Sequence, residues 1–137
     1  MTDKTLTRVA DVMTRGVITI AATATVGEAV HLMTEHHTSS IIVERRDEAD
    51  EFGIIVVSDI AEAVLGKDLS PERVNVYEVM SKPVLTVAAE MNVKYAVRLL
   101  VRFKLSRALV VDHDRSPLGI VTLRDMVLRS LDGDSAG

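Results

Sequence analysis

Two aspartates carry most of the chemistry this sequence offers. Asp125 closes the stretch Gly119-Ile120-Val121-Thr122-Leu123-Arg124-Asp125, and Asp59 closes an imperfect copy, Gly53-Ile54-Ile55-Val56-Val57-Ser58-Asp59. Each copy has a glycine, an apolar run suited to a strand, and a carboxylate where a helix would begin. A carboxylate can accept hydrogen bonds from both vicinal hydroxyls of a ribose. It can equally cap the helix that follows, so that Asp59 would open a helix over 60–65. Thr122 adds a hydroxyl of the kind a phosphate uses near a helix start, or serves as an ordinary strand residue. Val56 stands at that position in the first copy and has no hydroxyl to offer.

Other chemistries find no support. There is no nucleophile–base pair, no Gly-x-Gly-x-x-Gly and no P-loop, so no enzymatic activity is expected. His36 and His37 are adjacent and do not converge on one ion, and with His31 and His113 they form no zinc-type spacing, so they read as solvated residues and no metal is expected. The absence of cysteine removes disulfide and thiol chemistry. A net charge of −4 argues against nucleic-acid binding. The first residues lead into no long apolar run, so neither a signal peptide nor a membrane insertion is expected, and the protein reads as cytoplasmic.

Elements must hold the two aspartates in place. The chain is 47% hydrophobic but only 3% aromatic, so its core must be aliphatic. Val9 to Met13 reads as a short helical turn ended by Gly16. Val17 to Ile20 and Ser40 to Val43 are β-branched runs that read as strands, and 52–57 reads as a third. Thr25 and Glu28 have capping-box spacing, and Val26, Ala29, Val30 and Met33 give the following helix one apolar face. The charges of 44–51 read as a solvated loop.

The second half repeats the first. Val79-Met80-Ser81 answers Val12-Met13-Thr14, Val84 to Val87 answers Val17 to Ile20, and Val93, Ala96, Val97 and Leu100 answer the first helix face, all at one constant offset. Asn92 takes the place of Thr25 as the helix cap. A last helix is expected over 123–131. The expected organisation is a loose segment 1–8, repeat one over 9–65, a linker over 66–73, repeat two over 74–131 and a polar tail over 132–137. A single repeat of this size cannot readily bury both faces of a small sheet, so two units are expected to pair through theirs. Strands joined through a helix should be parallel or mixed within each sheet.

With these features the sequence resembles the CBS (cystathionine β-synthase) domain pair, or Bateman module, as a stand-alone two-repeat protein. The resemblance rests on the Val-Met-Thr/Ser opening of each repeat, the strands at 17–20 and 84–87, the capped helix from Thr25-Val26-Gly27-Glu28-Ala29, and the Gly-x-x-Thr-x-x-Asp ending. It spans about residues 9–131. It implies an α/β (α+β) fold: a tandem CBS repeat of two β-α-β-β-α units packed by pseudo-twofold symmetry through their small sheets.

The resemblance also implies a function. Such pairs sense an adenosine-containing ligand, AMP, ADP, ATP or S-adenosylmethionine, in clefts between repeats, and they signal to a partner protein. They need no other cofactor and commonly form a homodimeric disc. By analogy, Asp59 and Asp125 bind ribose. Thr122, Arg107, Arg124, Ser39, Ser40 and Ser58 serve phosphate, with each Asp facing the phosphate contacts of the other repeat. Adenine would lie against Ile18, Ile20, Ile54 and Ile55 in one cleft and Leu85, Val87, Ile120 and Val121 in the other. The alternative is a structural dimerisation or scaffold module with degenerate clefts, which Val56 favours.

Overall fold

The computed structural model describes residues 7–136, with side chains as far as residue 131. The chain forms two compact units, one of residues 18–84 and the other of residues 1–17 with 85–137. These units do not coincide with the sequence repeats, because the opening segment of each repeat belongs to the other repeat's unit.

In the discontinuous unit, α1 (Val9–Val12) leads into β1 (Thr14–Arg15), a two-residue strand that the sequence did not signal. In the contiguous unit, β2 (Thr19–Ile20) precedes α2 (Val26–His36), β3 (Ser40–Val43) and β4 (Gly53–Val56). α3 (Val57–Ile60) runs on as a π-helical stretch, Ala61–Leu65, and 3-10 turns follow at Pro71–Arg73 and Val76–Glu78. The chain then returns to the first unit with β5 (Thr86–Ala88), α4 (Val93–Phe103), β6 (Arg107–Val111), β7 (Pro117–Thr122) and α5 (Leu123–Ala136). The last helix therefore continues past the expected end at residue 131, through most of the stretch expected to be a tail.

Both sheets are mixed. The contiguous unit has the order β2-β3-β4, with β2 parallel and β4 antiparallel to β3. The other has the order β1-β7-β6-β5, with β5 parallel to β6 and the other pairs antiparallel. The parallel pairs are those joined through a helix, as the connection length requires.

The exchanged segments make the same bonds in both units. The Val9 amide donates to the Met91 carbonyl at 2.8 Å and the Val93 amide to the Thr7 carbonyl at 2.9 Å. In the other unit, the Val76 amide donates to the Ala24 carbonyl at 2.8 Å and the Val26 amide to the Val74 carbonyl at 2.8 Å. Val9, Val12 and Met13 join Val87, Val93, Ala96, Leu100, Val110, Val121 and Met126 in one core. Val76 joins Ile20, Val26, Ala29, Met33, Ile41, Val43, Ile55, Ile60 and Val64 in the other. Fully burying such a side chain stabilises by about 1.5–3 kcal/mol, so each short segment contributes substantially to the core it enters.

Capping confirms the reading of the two long helices. The Glu28 amide donates to Thr25 Oγ1 at 3.1 Å while the Thr25 amide donates to Glu28 Oε2 at 2.7 Å. The Lys94 amide donates to Asn92 Oδ1 at 2.9 Å. Val30 departs from the expected apolar face and is 40% exposed. The charged run is also more ordered than a solvated loop. Asp50 accepts from the Arg46 amide at 2.9 Å and from Lys82 Nζ at 2.8 Å, and the Arg45 guanidinium lies 4.9 Å from the Phe52 ring centre.

Two predictions follow from this packing. A Cβ on Gly119 would collide with the Thr14 backbone carbonyl, whereas one on Gly53 would meet the Ser81 carbonyl at 3.1 Å. Gly119→Ala should therefore cost about 1–3 kcal/mol in urea denaturation, and Gly53→Ala less. The second concerns Asp50, whose carboxyl is held well below its ordinary value of 3.8, chiefly by Lys82 and then by the Arg46 amide. A depressed native pKa stabilises above the unfolded value, and that contribution is lost as pH falls below about 3.8. Lys82→Met should flatten the acid limb of a stability–pH curve; an unchanged limb would exclude this pair as its source.

Candidate functional site

The predicted ribose and phosphate residues lie around the junction where β4 or β7 turns into a helix, whereas Ile18, Ile20, Leu85 and Val87 of the predicted adenine walls lie at β2 and β5. Both junctions have the same frame. In one, β6 and β7 pair Arg107 with Thr122, and the Leu123 amide donates to the Ser106 carbonyl at 2.8 Å. In the other, β3 and β4 pair Ser40 with Val56, and the Val57 amide donates to the Ser39 carbonyl at 3.0 Å. This clamp turns the chain from strand to helix at one place in both repeats.

The helix begins earlier than expected. Asp59 does not cap a helix over 60–65. Val56 is the N-cap of α3, without a side-chain bond, and Asp59 lies within the first turn. Asp125 likewise lies in the first turn of α5. The cap of α5 comes from the residue read as a strand hydroxyl: Thr122 Oγ1 accepts from the Asp125 amide at 3.0 Å. Both carboxylates are half-buried and are not the residues that close their helices. They sit where the aligned peptide dipoles favour negative charge.

In the discontinuous unit the structure brings Arg107, Thr122 and Asp125 together. Arg107 is half-buried at the start of β6. Burial pushes its guanidinium pKa down, and the negative charge of Asp125 partly offsets this. An arginine keeps its proton under such conditions, so the junction presents a partly desolvated cation beside a carboxylate. The Thr122 hydroxyl accepts the amide and still has its own proton to donate. Arg124 is exposed beside this group.

The other junction is poorer. Val56 replaces the threonine, Ser40 replaces the arginine and is 6% exposed, and Ser39 and Ser58 are exposed. Its only charged member from the predicted set is Asp59.

The expected adenine walls separate into two groups. Ile20 and Ile55 lie in the core of one unit, and Val87 and Val121 in the core of the other. These four are corrected to core residues: strand side chains alternate between faces, and theirs lie beneath the helices. Ile18 and Leu85 are half-buried at the edges of these cores, Ile120 is half-buried, and Ile54, 8% exposed, belongs to neither cluster. Sequence reading missed the capping role of Thr122, although its position three residues before Asp125 is the spacing of a helix cap.

Among the described residues, no three His, Asp or Glu side chains gather as a metal site would require. No helix among them is long and apolar enough to cross a membrane.

Exchanged opening segments, two mixed sheets and paired strand-to-helix junctions define a tandem-repeat domain. The CBS domain family model matches residues 9–66 and 76–132, and the chain belongs to that family. A protein of Methanopyrus kandleri described as uncharacterized is 37% identical over 120 residues, covering 87% of this chain and 60% of its own length. The chain spans 60%, 23% and 44% of three curated relatives it matches. Among solved structures, a hexameric CBS-CP12 protein from bloom-forming cyanobacteria is 34% identical with a TM-score of 0.87, covering 96% of this chain and 75% of that one. The CBS domain of a bacterial CNNM/CorC family Mg2+ transporter, in complex with ATP, is 26% identical with a TM-score of 0.76, covering 94% and 90%.

The junctions yield a stability test. Thr122→Val removes the cap of α5 and should cost about 1 kcal/mol, while Val56→Thr should stabilise by a similar or smaller amount. Thermal melts of the two variants check this; equal melting temperatures would show that the hydroxyl does not cap.

Proposed function

We propose that this chain is a regulatory sensor which binds an adenosine-containing ligand and acts as a homodimer on a partner protein. The observation that carries the reading is the junction of Arg107, Thr122 and Asp125: a cation, a hydroxyl proton and a carboxylate at the start of one helix. Phosphate oxygens need groups like the first two and ribose hydroxyls need one like the third, whether of the same ligand or of one in each cleft. The ATP complex of a related CBS domain supports an adenosine nucleotide as the ligand class. In this reading Asp59 and Asp125 take ribose. Thr122, Arg107 and Arg124 serve phosphate, with Ser39, Ser40 and Ser58 as the weaker set. Ile18, Ile54, Leu85 and Ile120 remain as candidate walls for adenine. AMP, ADP, ATP and S-adenosylmethionine are the ligands to try. The role is regulatory and not catalytic, and the ligand acts by favouring one conformation over another.

A second reading has its own observation. Val56 and the buried Ser40 leave one junction with no cation from the predicted set and fewer hydroxyls for a phosphate, as expected of a structural module with degenerate clefts.

Thermal-shift titration separates the two. A ligand that binds only the folded state adds about 2.7 kcal/mol of stability at a hundred times its Kd. An adenosine compound should raise the melting temperature of the wild type, and loss of the shift in Asp125→Ala or in Asp59→Ala would say which carboxylate holds the ribose. Because neither carboxylate is the N-cap of its helix, both variants should remain folded. No shift with any of the four compounds would favour the structural module.

A further inference from the structure

In the discontinuous unit, one side chain joins the ligand junction to the exchanged segment. Arg129 stands on α5 one turn after Asp125, and its Nη1 donates to the Val12 carbonyl at 3.2 Å, across 117 residues of chain. Val12 is the last residue of α1, and carbonyls at a helix end have no partner within the helix, so a guanidinium is a fitting donor. The residues after Val12 grip the strand on the other side of the junction. Thr14 and Arg15 pair with Ile120 and Gly119 of β7, and the Gly16 amide donates to the Leu118 carbonyl at 3.0 Å. Residues 12–16 thus hold both β7 and α5, with Thr122 at the turn between them.

Arg129 has a second acceptor on its own helix. Residues one turn apart share a helix face, and a carboxylate placed before a cation is the favourable order for an ion pair. Asp125 is that carboxylate. Arg129 is exposed, so its guanidinium has room to move, whereas Val12 is 3% exposed and fixed in the core. The arginine is therefore shared between the carboxylate that ribose would occupy and the carbonyl that anchors the exchanged segment. The other repeat lacks this arm. Ala63 answers Arg129 and Val79 answers Val12, and the alanine side chain has no donor to offer.

We propose that Arg129 passes occupancy of the Asp125 junction to the exchanged segment. When ribose hydroxyls take the Asp125 carboxylate, its pull on Arg129 weakens. The guanidinium then stays on the Val12 carbonyl, and residues 12–16 tighten. The ligand favours this arrangement because only there is the carboxylate given up to it. This rests on ribose binding at Asp125 in the proposed function and names how that binding is transmitted. Binding at Asp59 has no such route.

Amide hydrogen exchange of the full chain, read over residues 13–16, tests it. In the ligand-free protein, Arg129→Met should speed exchange there roughly tenfold. Asp125→Asn removes the competing charge, so it should slow exchange there when Arg129 is present and have no such effect beside Arg129→Met. Saturating AMP or ATP should slow exchange in the wild type and not in Arg129→Met. An arginine that merely held the fold together would alter exchange equally with and without nucleotide, and that result would overturn the proposal. Equal effects of Asp125→Asn in both backgrounds would overturn it too, as would a nucleotide that raises the melting temperature and leaves the segment unmoved. The first two comparisons need no nucleotide. If they come out as expected while neither AMP nor ATP shifts the melting temperature, the arm stands and ribose binding at Asp125 falls.

Discussion

The structure depends on a reciprocal exchange of short segments. Val9, Val12 and Met13 belong to the first repeat but are buried beneath the sheet formed by the second, and Val76 does the converse. The exchange is held by matched backbone bonds at both ends of each turn, such as Val9 to Met91 and Val76 to Ala24. A unit without its borrowed turn would expose apolar core residues and leave backbone groups unpaired, and both are costly in a domain this small. The exchange therefore couples the repeats through the chain itself. It also places the short strand β1 along β7 and Ser81 along β4, next to the strands whose ends carry Thr122 and Val56.

The two junctions show how one backbone frame supports different chemistry. Both strands turn into their helices through the same amide-to-carbonyl clamp, at Leu123 and Val57. On that frame one repeat places Arg107, Thr122 and Asp125, and the other Ser40, Val56 and Asp59. Threonine does two things at once, capping α5 with its oxygen while retaining a proton to donate. Valine does neither, so α3 begins without a side-chain cap. Divergence between the repeats has thus changed the chemistry of the junction while leaving its backbone intact.

The same divergence extends to the helix faces. The apolar positions of α2 and α4 keep their spacing because they pack against the sheets, so Val26, Ala29 and Met33 answer Val93, Ala96 and Leu100. Their exposed positions are free of that constraint and have taken opposite charge. Conserved packing with diverged surfaces is what a duplicated unit permits when its core is filled by aliphatic residues of similar volume.

The sequence alone determined most of the elements, the tandem repeat, and that each aspartate lies near the start of a helix. These depend on local periodicity, capping residues such as Thr25 and Asn92, and a constant offset between the halves. Tertiary structure alone decided which segment completes which unit, since the pattern Val9 to Met13 is equally consistent with packing on either sheet. It also decided that Ile20, Ile55, Val87 and Val121 serve the cores, because an apolar run alone does not say which face of a strand lies under the helices. It settled that Thr122, and not Asp125, caps α5, since both are good capping residues and only the backbone path tells which lies outside the first turn. Hydrophobic pattern and spacing are properties of neighbouring residues. Segment exchange, the facing of a strand and the partner of a buried charge depend on residues far apart in the chain, and only folding brings those together.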